Sequence, residues 1–132
     1  MCEGIAAELS GIDFGDKRLG KRSVQILESL VADPQASVSA TSHGWAETNA
    51  AYRFFQNPNV TPEKILAPHV EASKRRIAEH PVVLILQDTT ELDFSKHPPR
   101  DVKCLNKVTR HGLYDHTHLA VTPDRLCLGG VG

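Results

Sequence analysis

Residues 84–94 read LILQDTTELDF, an apolar run followed by a carboxylate, Asp88, two threonines and two further acids, Glu91 and Asp93. An acid at the C-terminal end of a buried strand can hold a hard cation such as Mg²⁺, which takes one or two carboxylates together with waters and substrate phosphates. Two such ions about 4 Å apart can activate a nucleophile and steady the leaving oxygen in phosphodiester chemistry. One carboxylate alone cannot do this. Glu91 and Asp93, two residues apart, share a strand face that Asp88, an odd number of residues from Glu91, does not. A loop directly after Asp88 would relax that separation. The alternative reading of Asp88 is a turn or cap residue.

A second group of candidates is basic. Lys17, Arg18, Lys21 and Arg22 crowd a helix start in GDKRLGKR. On a helix Arg18, Arg22 and Gln25 lie on one face, with Lys17 and Lys21 beside it, opposite an apolar stripe containing Leu19, Ile26 and Leu30. Such a face is either solvated or offered to phosphates and groove edges. SKRRIAEH, residues 73–80, is a shorter basic run at a helix C-terminus, where cations are favoured by the dipole. In AYRFFQNPNV, Tyr52, Phe54 and Phe55 surround Arg53. They can stack on bases or form the core of a small helical domain, while Arg53 binds phosphate or pairs with an acid. His116-x-His118, with His111 and Cys104 nearby, is a partial set for zinc, which needs four ligands; the other reading is polar residues on a sheet face.

These residues must be positioned by an ordinary soluble core. The 132-residue chain is 40% hydrophobic and 23% charged, with only 5% aromatic residues and a net charge of −1. One domain, or one small domain and part of another, is expected, with a core of Leu, Ile, Val and Ala. No global positive field advertises nucleic acid, so any such binding must come from a local patch. Cys2, Cys104 and Cys127 are odd in number and form no CxxC pair. This favours reduced thiols in a cytoplasmic setting. The N-terminal residues do not read as a signal peptide, and no apolar run is long enough to span a bilayer.

The pattern is helical before residue 80. Asp16 caps a helix whose core stripe is Leu19, Ile26, Leu27, Leu30 and Val31, and Asp33-Pro34 ends it. A Ser/Thr-rich connector leads to a second helix, residues 45–56, with an apolar face of Trp45, Ala46, Ala50 and Phe54. A third starts at Thr61-Pro62-Glu63 and should be kinked or split by Pro68. Beyond Pro81 the period changes. VVLILQ reads as a strand buried on both faces, and after a polar loop GLYDHTHLAV alternates as a strand. TPDR turns, and RLCLGGV returns as a hairpin partner. A three-stranded sheet with a strand buried on both faces needs more cover than these elements obviously provide.

Taken in order, GDKRLGKR, AYRFFQNPNV, VVLILQDTTELDF and GLYDHTHLAV resemble the start of a DDE transposase of cut-and-paste bacterial insertion sequences, the branch containing the transposase of transposon five. The resemblance spans about residues 9–131. It implies an α+β chain: a small helical DNA-binding domain over residues 1–80, then residues 81–132 as the first three strands of an incomplete ribonuclease-H-like catalytic domain. Asp88 matches the first metal-binding carboxylate of the triad, which implies Mg²⁺ as cofactor. Lys17, Arg18, Lys21 and Arg22 fall on the basic face used on the DNA end. His116 fits a histidine common in the second strand. The connector SVSATSHG, with Thr41 and His43, takes the place of a DNA-contacting loop, although Ala36 stands where the family has a lysine.

The resemblance therefore implies a truncated transposase, or a remnant of one, in DNA transposition. It would bind transposon-end duplex DNA, with full-length transposase or a second copy as a further partner, and lack the second Asp and the Glu needed for catalysis. Two other readings stay open. One is a compact Mg²⁺-dependent nuclease that completes its site with Glu91 and Asp93 or by self-association. The other is an inert or purely protein-interacting remnant, since an uncovered sheet edge invites association.

Overall fold

The computed structural model describes residues 4–106 and 109–132; Cys2 lies outside the described residues. The architecture is α+β, with helices first and an antiparallel sheet after them. A 3₁₀ turn, Ile5–Leu9, precedes α1 (Lys17–Ala32), α2 (Val38–Thr41), α3 (Trp45–Phe55) and α4 (Pro62–Ala78). The strands are β1 (Leu84–Asp93), β2 (Gly112–Val121) and β3 (Cys127–Gly130), in the order β1-β2-β3. The chain divides into two compact units, Met1–Ala72 and Ser73–Gly132, with the boundary falling in the sequence of α4. No helix among the described residues is long and apolar enough to cross a membrane.

The helix starts follow from their caps. Asp16 accepts a hydrogen bond from the Arg18 backbone N–H at 2.8 Å, satisfying one of the orphan donors of α1. Thr61 does the same for Lys64 at the start of α4. The α1 helix ends at Ala32, one residue before Asp33-Pro34, as the proline requires. After α3, the Asn57 side chain accepts from the Asn59 N–H and turns the chain. The expected break at Pro68 takes a milder form: α4 is not split. Loss of one N–H near the N-terminal end removes a single intrahelical bond, which the turns on either side outlast. The connector contains the one-turn helix α2, whose cap is Ser37 accepting from Ala40.

The core of the first unit is small. Leu9, Phe14, Ala51 and Phe54 are buried, and the Phe14 and Phe54 rings meet edge to face with centroids 5.6 Å apart. The expected apolar face of α3 is thus partly rotated. Ala51 and Phe54 point inward, whereas Trp45 and Ala46 are exposed. On α1, Val31 is also exposed, and Leu19, Ile26, Leu27 and Leu30 are half-buried.

In the second unit β1 departs from expectation. Read as buried on both faces, it is instead open on both: Leu84, Ile85 and Leu86 are 47%, 48% and 51% exposed. Its composition suits a covered strand, but no described element covers it. It also runs past the expected end, because residues 88–93 pair in unbroken register with β2, Asp88 opposite Thr117 and Asp93 opposite Gly112. The β2–β3 turn has the Thr122 hydroxyl accepting from the Leu126 N–H, and Arg125 at φ 69°. On β3, Gly129 has φ 127° and sits so close to Ser73 that a Cβ would overlap the serine hydroxyl. Arg76, in the last turn of α4, donates to the Leu128 carbonyl at 2.6 Å, binding that turn to β3.

Candidate nucleic-acid interface

The helical candidates separate into two sets on α1. Lys17, Arg18, Lys21, Gln25 and Glu28 are all exposed. Lys17, Lys21, Gln25 and Glu28 follow one another at four- and three-residue steps, so they form a single row with Arg18 beside it, whose Gln25 and Glu28 end reaches the groove described next. Arg22 lies off that row, half-buried, in the wall of an open groove of about 190 Å³. The opposite wall brings Thr41, Ser42 and His43 to the same groove, with Ile26 and Ala51 also in its lining. Three of the residues expected from sequence, Arg22, Thr41 and His43, therefore meet at one place.

The groove is rigidly framed. The Thr41 hydroxyl donates to the Val38 carbonyl at 3.1 Å and that of Ser42 to the same carbonyl at 2.7 Å. Glu47, in the first turn of α3, reaches back to accept from the His43 backbone N–H at 2.7 Å. That contact closes the α2–α3 connection around Gly44, whose φ of 108° favours glycine. Glu28 and Glu47 add acid to the lining. The groove is therefore mixed in charge, suited to a polar edge flanked by phosphate rather than to a purely anionic ligand.

Arg18 and Arg22 are not equivalent. The Arg18 guanidinium bonds the Asp16 carboxylate, with Nη2 to Oδ2 at 3.1 Å. The carboxylate raises the Arg18 pKa, and hydrogen bonds from Arg18 lower that of Asp16. Both groups remain in solvent, so the pair is screened and exchangeable. Arg22 has no hydrogen bond or ion pair among the described residues, and its charge is uncommitted. Lys17 and Lys21 on the α1 row are equally uncommitted. Arg53 sits in the last turn of α3, exposed, outside the groove lining.

The chemistry expected of the sheet is arranged differently. Asp88 is in the middle of β1, not at its tip, and its Oδ1 accepts from the neighbouring Thr89 N–H at 2.9 Å. By register it shares a face with Thr90, Thr117 and Asp115. Asp115, which sequence reasoning passed over, is its diagonal neighbour, a relation that places side chains roughly 7–8 Å apart. Glu91 and Asp93 lie on the other face, with His116 and His118. Both are committed there: Arg110 pairs with Glu91 and, at 3.0 Å, with Asp93. Asp93 also accepts from Ser95, and these bonds, with Arg110 behind them, hold its pKa down to about 2. The loop that would have let Asp88, Glu91 and Asp93 converge does not exist, because the strand is continuous through all three.

The histidines make no metal set either. His116 Nδ1 is 2.6 Å from the Thr89 hydroxyl, and its ring meets that of His118 edge to face. Cys104 and His111 form a separate pair at 3.6 Å, and neither Cys104 nor Cys127 is in a disulfide. Among the described residues no three His, Cys, Asp or Glu side chains gather as metal ligands. The donor set around Asp88 thus does not fit a two-ion Mg²⁺ site supplied by these residues alone.

Residues 1–60 match the transposase DNA-binding family. The matched segment holds α1, α2 and α3, and so contains the whole of the groove and the row on α1. A transposase-related, DNA-binding role is thereby supported for the N-terminal part of the chain. The signal for Arg22, Thr41 and His43 was present in the sequence as a basic helix and a Ser/Thr-rich connector. The part played by Glu47 was not, because its reach back to His43 depends on the turn at Gly44.

Proposed function

We propose that this chain binds the duplex ends of a transposable element through its helical part, and that these residues alone do not cut DNA. The observation that carries the reading is the coincidence of the transposase DNA-binding match with a framed groove holding the uncommitted Arg22 beside Thr41 and His43. Lys17 and Lys21 extend positive charge along α1 toward neighbouring phosphates, while Arg53 lies outside the groove. A chain with a net charge of −1 gains nothing from a global field, so this local patch must supply the attraction. The cellular setting that fits is the cytoplasm.

The second unit is read as the opening strands of a ribonuclease-H-like sheet of the insertion-sequence transposase type. What supports this is the resemblance of QDTT and GLYDHTHLAV, together with apolar side chains on β1 that are shaped for cover. In this reading Asp88 is one ligand of a Mg²⁺ site whose other carboxylates are supplied from outside the described set, for example by full-length transposase or a second copy. Of the two forms of the compact-nuclease reading, completion of the site by Glu91 and Asp93 of the same chain has no geometric support, since both face away from Asp88 and are held by Arg110.

A salt titration tests the DNA-binding reading. Labelled duplex carrying the element's end should bind at low ionic strength, with log K falling linearly in log salt as counterions are released. Absence of binding at low salt would refute it.

A further inference from the structure

Resting on that DNA-binding reading, we propose that Trp45 is a DNA-contacting residue, its indole covered by the bound duplex. The chain's single tryptophan is 82% exposed at the first residue of α3. A side chain of this size usually buries most of its surface, and the sequence pattern alone would put it in the core. Here it is held outward on a fixed frame. Gly44 provides the turn, Glu47 holds the His43 N–H, and Asn49 donates to the Trp45 carbonyl at 3.0 Å. An aromatic group on a rigid base loses little freedom when a ligand covers it. It also stands two residues from His43 and two from Glu47, both in the groove lining, although Trp45 itself is outside that lining.

The outer surface of α3 continues the pattern. Tyr52 is seven residues on, two turns along the same helix face, and is half-exposed. That spacing corresponds to roughly 10 Å of helix rise. Arg53 is exposed next to Tyr52. Exposed aromatics interleaved with cations, beside a groove with an uncommitted arginine, suit contact with a duplex, where rings lie against sugars while cations meet phosphates.

A single tryptophan makes the test direct. Random-sequence duplex added at low salt should quench the indole emission and shield it from acrylamide. Trp45→Ala should weaken binding, followed by anisotropy of labelled DNA, severalfold. Trp45→Phe should recover most of that loss. The thermal melt of the helices should be the same for all three proteins, since the side chain is in solvent. If the duplex binds while the indole stays as accessible as before and Trp45→Ala binds like wild type, the contact is overturned and the DNA-binding reading survives. If no duplex binds by anisotropy, both fall together. Shielding that grows with protein concentration in the absence of DNA would assign the indole to a second copy and overturn the proposal.

Discussion

The groove side of α1 and the first strand of the sheet present different surfaces. In the helical unit a small core of Phe14, Ala51 and Phe54 is closed, while Arg22, Lys17 and Lys21 are uncommitted among the described residues. In the sheet unit Arg110 is committed to Glu91 and Asp93, and the apolar side chains of β1 stand open to solvent. A surface of uncommitted cations over a closed core is ready for an external anion. A surface of exposed leucines beside paired charges is ready for more protein. The family match falls on the first of these surfaces, over residues 1–60.

The largest effect should come from opening the closed core. Phe54→Ala removes a buried ring that touches both Phe14 and Phe55, and should destabilise the helical unit by about 3–5 kcal/mol. Leu86→Ala, on the open strand, should cost under about 1 kcal/mol, because half of that side chain is already in water. Chemical denaturation followed by circular dichroism separates the two, and similar losses would show that β1 is covered in solution.

A smaller effect of opposite sign is expected at the sheet turn. Arg125 holds a left-handed backbone conformation that costs a non-glycine residue energy. Arg125→Gly should stabilise the sheet unit by about 0.5–1 kcal/mol, after allowing for glycine's greater entropy when unfolded. An unchanged or lowered midpoint would argue against strain at this turn.

The smallest effects concern ion pairs. Arg18→Ala should weaken duplex binding less than Arg22→Ala, since Asp16 already engages Arg18; equal losses in a binding titration would mean that the pair opens fully on DNA. In the sheet unit, Asp93 has a folded pKa of about 2, below its ordinary 3.8. Its contribution is fully present above about pH 4 and fades as pH falls through 2, because the unfolded chain takes up the proton first. Acid titration of wild type against Asp93→Asn should show this component only in the wild type.

Much of this was legible in the residues. The Asp16 and Thr61 caps, the stop at Asp33-Pro34 and the bounds of β2 follow from local chemistry that tertiary context does not override. The basic face of α1 and the Thr41–His43 connector could be read as an anion surface, and the structure adds that Arg22 belongs to the groove and Arg18 does not. Two features were not readable. The exposure of Trp45 depends on the turn at Gly44, which sets the phase of α3 and cannot be seen from apolar spacing. The exposure of β1 was hidden because an apolar run reports what a strand is suited to meet, not whether that partner lies in the same unit. The position of Asp88 in mid-strand followed from register with β2, a non-local property.

The central claim is that the helical groove, and not positive charge in general, binds duplex DNA. Arg22→Ala and Arg125→Gly each remove one positive charge, the first from the groove and the second from the sheet turn. Measured by salt-dependent anisotropy, Arg22→Ala should weaken binding severalfold and reduce the slope of log K against log salt by about one, while Arg125→Gly leaves both unchanged. Equal losses from the two substitutions, or none from Arg22→Ala, would contradict the account.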